Sequence, residues 1–347
     1  MDSRRHACEG ITRRSFLRLS SAAGLGLVAG ALPIPCTDAV LLGDLYRVAE
    51  TRLAMGTFVS IIALDSSRMR AQDGIGAAYE EIERLTRLLN RFDHHSPVAQ
   101  LNRQGRLDDP RPELLEVIDC ALAHHELSAG AFDISVQPLV DLFRAHHADG
   151  ELPSRRAIER ALDLVDAADI LASRLCIRFA RPGMGITLDG IAKGYIVDRA
   201  STALSRLGIA SFLINAGGDI RARGHGRREQ PWRVAVQDPD EKGRFPAVLR
   251  LTDAAVATSG NYAIYYDREK LFHHIVSPAT GLSPGAAASV SVLARTAMQA
   301  DALSTGVFVM GPRLGTRFID SMPACECLVL DRSGAKHLSR AWPSVAL

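Results

Sequence analysis

An α+β fold is predicted, because the hydrophobic period turns from mainly helical to mainly strand-like near residue 175 instead of alternating regularly between strand and helix from end to end. Before that point apolar residues recur at helical spacing. After it, short apolar runs are punctuated by Gly, Pro, Asn and Asp. No repeat and no low-complexity linker interrupts the chain after residue 45, so a helical first half is expected to pack with a strand-rich second half as one catalytic unit spanning 45–345.

In chain order, Ile75, Tyr79, Ile82, Leu85 and Leu89 mark a first helix, and Leu114, Leu115, Ile118 and Leu122 a second that ends before Gly130. Ser154 is the expected N-cap of a third, whose stripe is Ile158, Ala161, Leu162 and Val165. Strands are then expected at 175–179, 185–188, 211–215, 232–237, 247–251, 263–266, 272–276, 289–293 and 327–330. Two helices interrupt them. One follows Gly190, buries Ile191, Tyr195, Ile196, Ala203, Leu204 and Leu207, and ends at Gly208; the other runs from about Thr296 to Met310 and stops at Gly311-Pro312.

A formal charge of +2 over 347 residues leaves no basic field for nucleic acid and no charged tail. Six cysteines are too few for a disulfide scaffold, and Cys325-Glu326-Cys327 lacks a second Cys/His pair at zinc spacing, which leaves ordinary semi-buried thiols. The N-terminus is distinct. Arg13-Arg14-Ser15-Phe16-Leu17 precedes an apolar, small-residue stretch from Leu19 to Leu32 without an acidic residue, which reads as a twin-arginine export signal within 1–39 and implies a periplasmic protein. Ala29-Gly30-Ala31 offers a peptidase site. An uncleaved membrane anchor is the alternative, and lipidation at Cys36 is disfavoured by Pro33-Ile34-Pro35 before it.

Two segments carry groups suited to a phosphate ligand. From Ile186 to Tyr195 a strand is expected to turn at Asp189-Gly190 into a helix bearing Lys193 near its start, which brings free backbone N–H groups, a dipole end and an ammonium together. A glycine placed for steric reasons and a solvated lysine would give the same pattern. Asp301 and Thr305 lie four residues apart on the last helix with Ser304 beside them, a hard-oxygen set suited to Mg²⁺. Capping by Asp301 and back-bonding by the hydroxyls is the other reading of the same residues. His274 can serve as a general base toward a hydroxyl; on a strand His273 would face the opposite way. His94-His95, His124-His125 and His146-His147 share no spacing and read as surface or helix residues.

Met55-Gly56-Thr57, Ala131-Phe132-Asp133, Ile186 to Asp198, Asn215 to Asp219, Thr258 to Tyr262, His273 to Pro278 and Ala300 to Gly306 occur in an order that resembles the FAD:protein FMN transferase family, ApbE, over nearly all of 45–345. The resemblance implies Mg²⁺-dependent transfer of FMN from FAD to a threonine or serine of an acceptor protein, with AMP released. It assigns Gly190, Asp301 and Thr305 to the metal, with Ser304 a weaker member, Lys193 to the pyrophosphate and His274 to catalysis. Met55, Phe92, Ala131, Phe132 and Asp133 would line the flavin slot, with the Ile275 backbone against bound FAD; Phe92 and Phe132 also read as ordinary core residues. Thr187 is a departure at a flavin-contacting position, since members commonly carry an acidic residue there. Asn215 to Asp219 and Thr258 to Gly260 read as tight turns at strand ends. The family resemblance also implies as acceptor a respiratory membrane subunit displaying an exported loop of the Asp/Ser-Gly-Ala-Thr/Ser type, NosR-like in that the form Thr187 to Tyr195 is similar to that of the NosX-like subgroup. Hydrolysis of FAD to FMN and AMP, and a non-catalytic periplasmic flavin carrier, are the rival functions.

Overall fold

The structure is a computed structural model that describes residues 37–149, 152–237, 245–261 and 273–346. The leader, with Arg13, Arg14 and Cys36, lies outside the described residues, as does the strand expected at 263–266. Among the described residues the centre is a nine-stranded antiparallel sheet. Its strands are β1 (Thr37–Leu42), β2 (Leu45–Ala54), β3 (Thr57–Asp65), β7 (Ser211–Ala216), β8 (Asp219–Arg223), β11 (Ala255–Gly260), β12 (Ala287–Ala294), β13 (Glu326–Asp331) and β14 (Lys336–Leu338), neighbours in that order.

Helices cover one face. They include α1 (Arg68–Leu89), α6 (Ala192–Arg206) and α7 (Ala297–Asp320), with α1 on α6 and α6 on α7. The apolar stripe expected on α1 is buried, and Ser67 caps it by accepting from the Arg70 N–H. The remaining helices of this region are α2 (Pro97–Gln104), α3 (Pro112–Leu127), α4 (Gln137–Asp149) and α5 (Arg155–Leu162); Ser154 caps α5 through the Ala157 N–H, as expected from its sequence. A small sheet of β4 (Arg106–Asp108), β5 (Ile170–Ala172) and β6 (Cys176–Phe179) adjoins them. On the opposite face of the large sheet, a ribbon of β9 (Trp232–Ala235) and β10 (Val248–Leu251) buries Trp232, Val234, Leu249 and Leu251 against Ile62, Leu64, Leu213 and Ile220.

The α+β class holds, with differences in where the strands lie. The first half contributes β1, β2 and β3 to the sheet, where no strand is expected; both faces of β3 are covered, so it lacks the alternation that reveals a half-exposed strand. The 185–188 segment pairs with no strand. Asn102 accepts from the Ile186 N–H and donates to its carbonyl, both at 2.8 Å, while the Thr187 N–H donates to the Ile134 carbonyl. At 273–276 only His273 forms a bridge, and the chain then bends. The helix that opens α7 stops at Gly311, as its sequence predicts. That residue turns to φ 76°, which glycine tolerates, and a second helical stretch resumes through Pro312 to Asp320. Cys325 and Cys327 are free, buried thiols, pushed up to about 11 and about 12 by desolvation.

Candidate active site

The sharp turn into α6 brings its first residues against α7. A Cβ on Gly194 would lie 2.3 Å from the Ala297 carbonyl oxygen, and one on Gly190 2.8 Å from Thr305 Oγ1, so both glycines are required by close approach. Asp198, at the end of the Ile186 to Asp198 motif, accepts from the Ala297 and Met298 N–H groups and so fixes the start of α7. The Gly194 N–H donates to Asp301 Oδ2 at 3.0 Å. Loop, α6 and α7 are thus registered by bonds from backbone N–H groups to the Asp198 and Asp301 carboxylates.

A pocket of about 250 Å³ opens where the end of the large sheet meets this loop and the β9–β10 ribbon. It is lined by Gly190, Lys193, Asp219, Asp301 and Thr305, by His274 and Ile275, and by Ala131, Phe132, Asp133 and Thr187. Lys193 Nζ stands 3.3 Å from Asp219 Oδ2. Burial raises the carboxyl of Asp219 above its ordinary range, with Lys193 acting against it. The Asp301 carboxyl is raised well above its ordinary range, first by burial and then by the neighbouring Asp219, against Lys193 and the Gly194 N–H. Ser259 lies 2.8 Å from Ser304 Oγ and 3.3 Å from Thr305 Oγ1, which ties the end of β11 to α7.

Of the residues expected in the site, Met55, Phe92 and Ser304 lie outside the pocket lining. Met55 sits in the β2–β3 turn at φ 51°, packed against the helical core. Phe92 is 54% exposed, with the Arg91 and Arg144 guanidiniums 4.1 and 5.0 Å from its ring centroid. Ser304 is buried and donates to the Asp301 carbonyl at 2.9 Å, the back-bonding alternative for these hydroxyls. Phe132 lines the pocket yet is buried in the helical core, its ring edge-on to His124. Asp133 also lines it, but its carboxylate accepts from the Ser135 N–H and Oγ and from the Ala167 N–H, and lies 3.1 Å from His125 Nδ1. Thr187 Oγ1 accepts from the Asp189 N–H at 3.2 Å.

His273 and His274 face different surroundings, although the segment is not a strand. The ring of His273 is fully buried edge-on to Phe308 with Nε2 3.1 Å from the Pro284 carbonyl, whereas His274 lines the pocket. Thr258 to Gly260 is the end of β11 and not a turn, whereas Asn215 to Asp219 does close the β7–β8 hairpin, with Gly217 at φ 63° and Gly218 at φ 105°.

The residues that sequence reasoning passed over are Asp219, which reads as the end of a turn, Ser259, and Arg91, whose guanidinium grips Asp189 at 2.8 and 3.0 Å. The available signal was chemical: a lone carboxylate after Gly-Gly that can pair with Lys193, the cation of the preceding motif. Among the described residues no three His, Cys, Asp or Glu side chains converge as a ready cation cage.

The ApbE family model matches residues 55–329. The FAD:protein FMN transferase of Haemophilus influenzae is 30% identical over 274 residues, covering 74% of this chain and 79% of its own length. That of Vibrio cholerae is 31% identical over 252 residues, covering 68% and 74%. Among solved structures, the ApbE protein of Thermotoga maritima superposes with a TM-score of 0.78 at 28% identity, covering 90% of this chain and all of its own. The Vibrio cholerae flavin transferase ApbE gives 0.75 at 23% identity, a likeness of fold. With the matched segment running through the pocket from the β2–β3 turn to β13, the chain belongs to the ApbE family.

Proposed function

We propose that this protein is an FAD:protein FMN transferase that moves FMN from FAD onto a threonine or serine hydroxyl of an acceptor protein and releases AMP. The observation that carries the reading is the convergence of Lys193, Asp301, Thr305 and His274 on one pocket. The acceptor oxygen forms a bond to the FMN-side phosphorus as the bond from that phosphorus to the bridging oxygen breaks. AMP departs with the bridging oxygen, and the acceptor proton passes to His274, whose imidazole suits a base near neutral pH. Lys193 and the N-terminal turn of α6 hold the negative diphosphate in line for this displacement.

The donor set fits a divalent cation. Asp301 supplies a carboxylate, Gly190 a carbonyl and Thr305 a hydroxyl, all hard oxygens of the kind Mg²⁺ takes alongside substrate phosphates. The contact between Gly190 and Thr305 keeps turn and helix together, and the buried Asp301 beside Asp219 is a charge that a cation would balance. The ion would supply charge neutralisation at the diphosphate.

The twin-arginine motif supports an exported, periplasmic protein, and the acceptor would be an exported loop of a respiratory membrane subunit, NosR-like if the NosX-like form is a guide. No helix among the described residues is long and apolar enough to cross a membrane. Incubation with FAD, Mg²⁺ and a Thr-containing acceptor should make the acceptor fluorescent on a denaturing gel. Equal labelling from free FMN would exclude diphosphate cleavage.

A further inference from the structure

The β2–β3 hairpin reaches past the strand beside it. β2 pairs with β3 down to Ala54 opposite Thr57, whereas β7 pairs with β3 only from Val59, opposite Ala216. Residues 53–58 therefore overhang beside the Gly217-Gly218 turn, which lines the pocket; a Cβ on Gly217 would lie 2.5 Å from Thr57 Oγ1.

Strand alternation fixes which side chains share a face. Ser60 pairs with the pocket-lining Asn215; Phe58 lies two residues back on the face of Ser60, and Leu53 is directly opposite Phe58. Farther along β3 on the same face, Ile62 and Leu64 are buried with the β9–β10 ribbon. Leu53 and Phe58 are instead 70% and 38% exposed. The next side chain on β2, Arg52, points to the other face, where it pairs with Glu50 at 2.7 Å and lies over the Tyr79 ring, so it puts no charge on this pair. An uncharged, cross-strand Leu–Phe ledge thus stands in solvent at the lip of the pocket.

We infer that this ledge receives the acceptor polypeptide, an extended segment that rests an apolar side chain on Leu53 and Phe58 while its neighbouring hydroxyl enters the pocket. The inference rests on the transfer function proposed above. FAD occupies the pocket itself, and water needs no docking surface. A protein acceptor is the reactant whose bulk must stay outside while one hydroxyl reaches His274 and Lys193, so its backbone crosses the lip where the ledge stands. Flexible surface arginines could hold an acidic partner; a neutral apolar pair selects an apolar one.

The test uses a synthetic peptide containing Ser-Gly-Ala-Thr with a leucine on either side, and the double variant Leu53→Ser/Phe58→Ser. FAD affinity, read by flavin fluorescence, and kcat at saturating peptide should stay within about two-fold of wild type, while KM for the peptide rises about ten-fold or more, the scale of losing one buried apolar contact at an interface. Leu53→Met should retain the wild-type KM, and Leu175→Ser, at a remote exposed position, should do the same. Replacing the peptide leucines with serine should raise KM for wild type but add nothing in the double variant. An unchanged peptide KM in the double variant, or additive effects of the two changes, overturns the ledge. Failure of the wild type to label any peptide while it cleaves FAD would count against transfer itself.

Discussion

The Gly194 N–H donates to Asp301 Oδ2 at 3.0 Å, so one hydrogen bond joins the first turn of α6 to the carboxylate that α7 presents to the pocket. The same carboxylate is buried beside Asp219 and held well above its ordinary pKa by that burial. Desolvation of this kind costs folding free energy while it prepares a site for positive charge. Asp301→Asn should therefore keep the acceptor oxygen for Gly194, melt at or above the wild-type temperature, and lose transfer by about 10²-fold or more, as when a principal electrostatic contact is removed. Melting curves and label incorporation read the two effects separately. An active Asp301→Asn would remove this residue from the chemistry.

Glycines in this chain should differ sharply in their response to alanine. Gly194→Ala drives a methyl against the Ala297 backbone and should cost about 1–3 kcal/mol, the usual range for overpacking, as α6 is pushed from α7. Gly76, inside α1, has nothing within 4 Å of an added Cβ, and Gly76→Ala should stabilise by up to about 1 kcal/mol. Chemical denaturation of both variants checks the pair; equal effects would mean that the α6–α7 contact is looser than its geometry.

His274→Ala should lower turnover by about 10²–10⁴-fold with FAD affinity retained, the span of general-base catalysis. The rising limb of the pH–rate profile should vanish with it. His273→Ala should act differently: loss of the bond to Pro284 and of the edge contact on Phe308 should lower stability, while the folded protein keeps its pH profile. If the His273 variant alone loses the rising limb, the base has been assigned to the wrong imidazole.

Folding stability should also carry a signature of His125. Its pKa is raised above 6.5 chiefly by the Asp133 carboxylate, 3.1 Å from its Nδ1. A histidine whose folded pKa exceeds its unfolded value stabilises fully below the unfolded pKa, and that stabilisation fades as pH rises through the folded value. The stability difference between wild type and His125→Gln should accordingly be largest below about pH 6 and smaller at pH 8. Thermal melts across that range would show it, and a difference that grows with pH would contradict the pairing.

The candidate site is legible where local chemistry and close packing coincide. Gly190, Lys193, Asp301 and Thr305 stand in two short segments whose order along the chain resembles a known family, and all four line the pocket. Asp219 and Ser259 escaped because each gains its meaning only from a helix packed on the sheet, from Lys193 of α6 at 3.3 Å and Thr305 of α7 at 3.3 Å. The segment 185–188 reads as a strand, whose backbone needs partners; a side chain, Asn102, supplies them instead. For β3, burial on both faces erased the period-two pattern that exposes a strand in sequence. Phe92 is expected at the flavin slot from the resemblance alone; it is not among the pocket-lining residues, and its ring has two guanidiniums over it.

The most direct test of the account counts two products in one reaction. Mature protein, FAD, Mg²⁺ and a Ser-Gly-Ala-Thr peptide are incubated together, with AMP quantified by chromatography and the labelled peptide by mass spectrometry. Attack of the acceptor hydroxyl on the FMN-side phosphorus requires one AMP for each FMN joined to the peptide threonine, with little AMP when peptide is omitted. AMP released at the same rate with or without peptide, and no flavin on the threonine, would show that water is the acceptor and contradict the transfer mechanism.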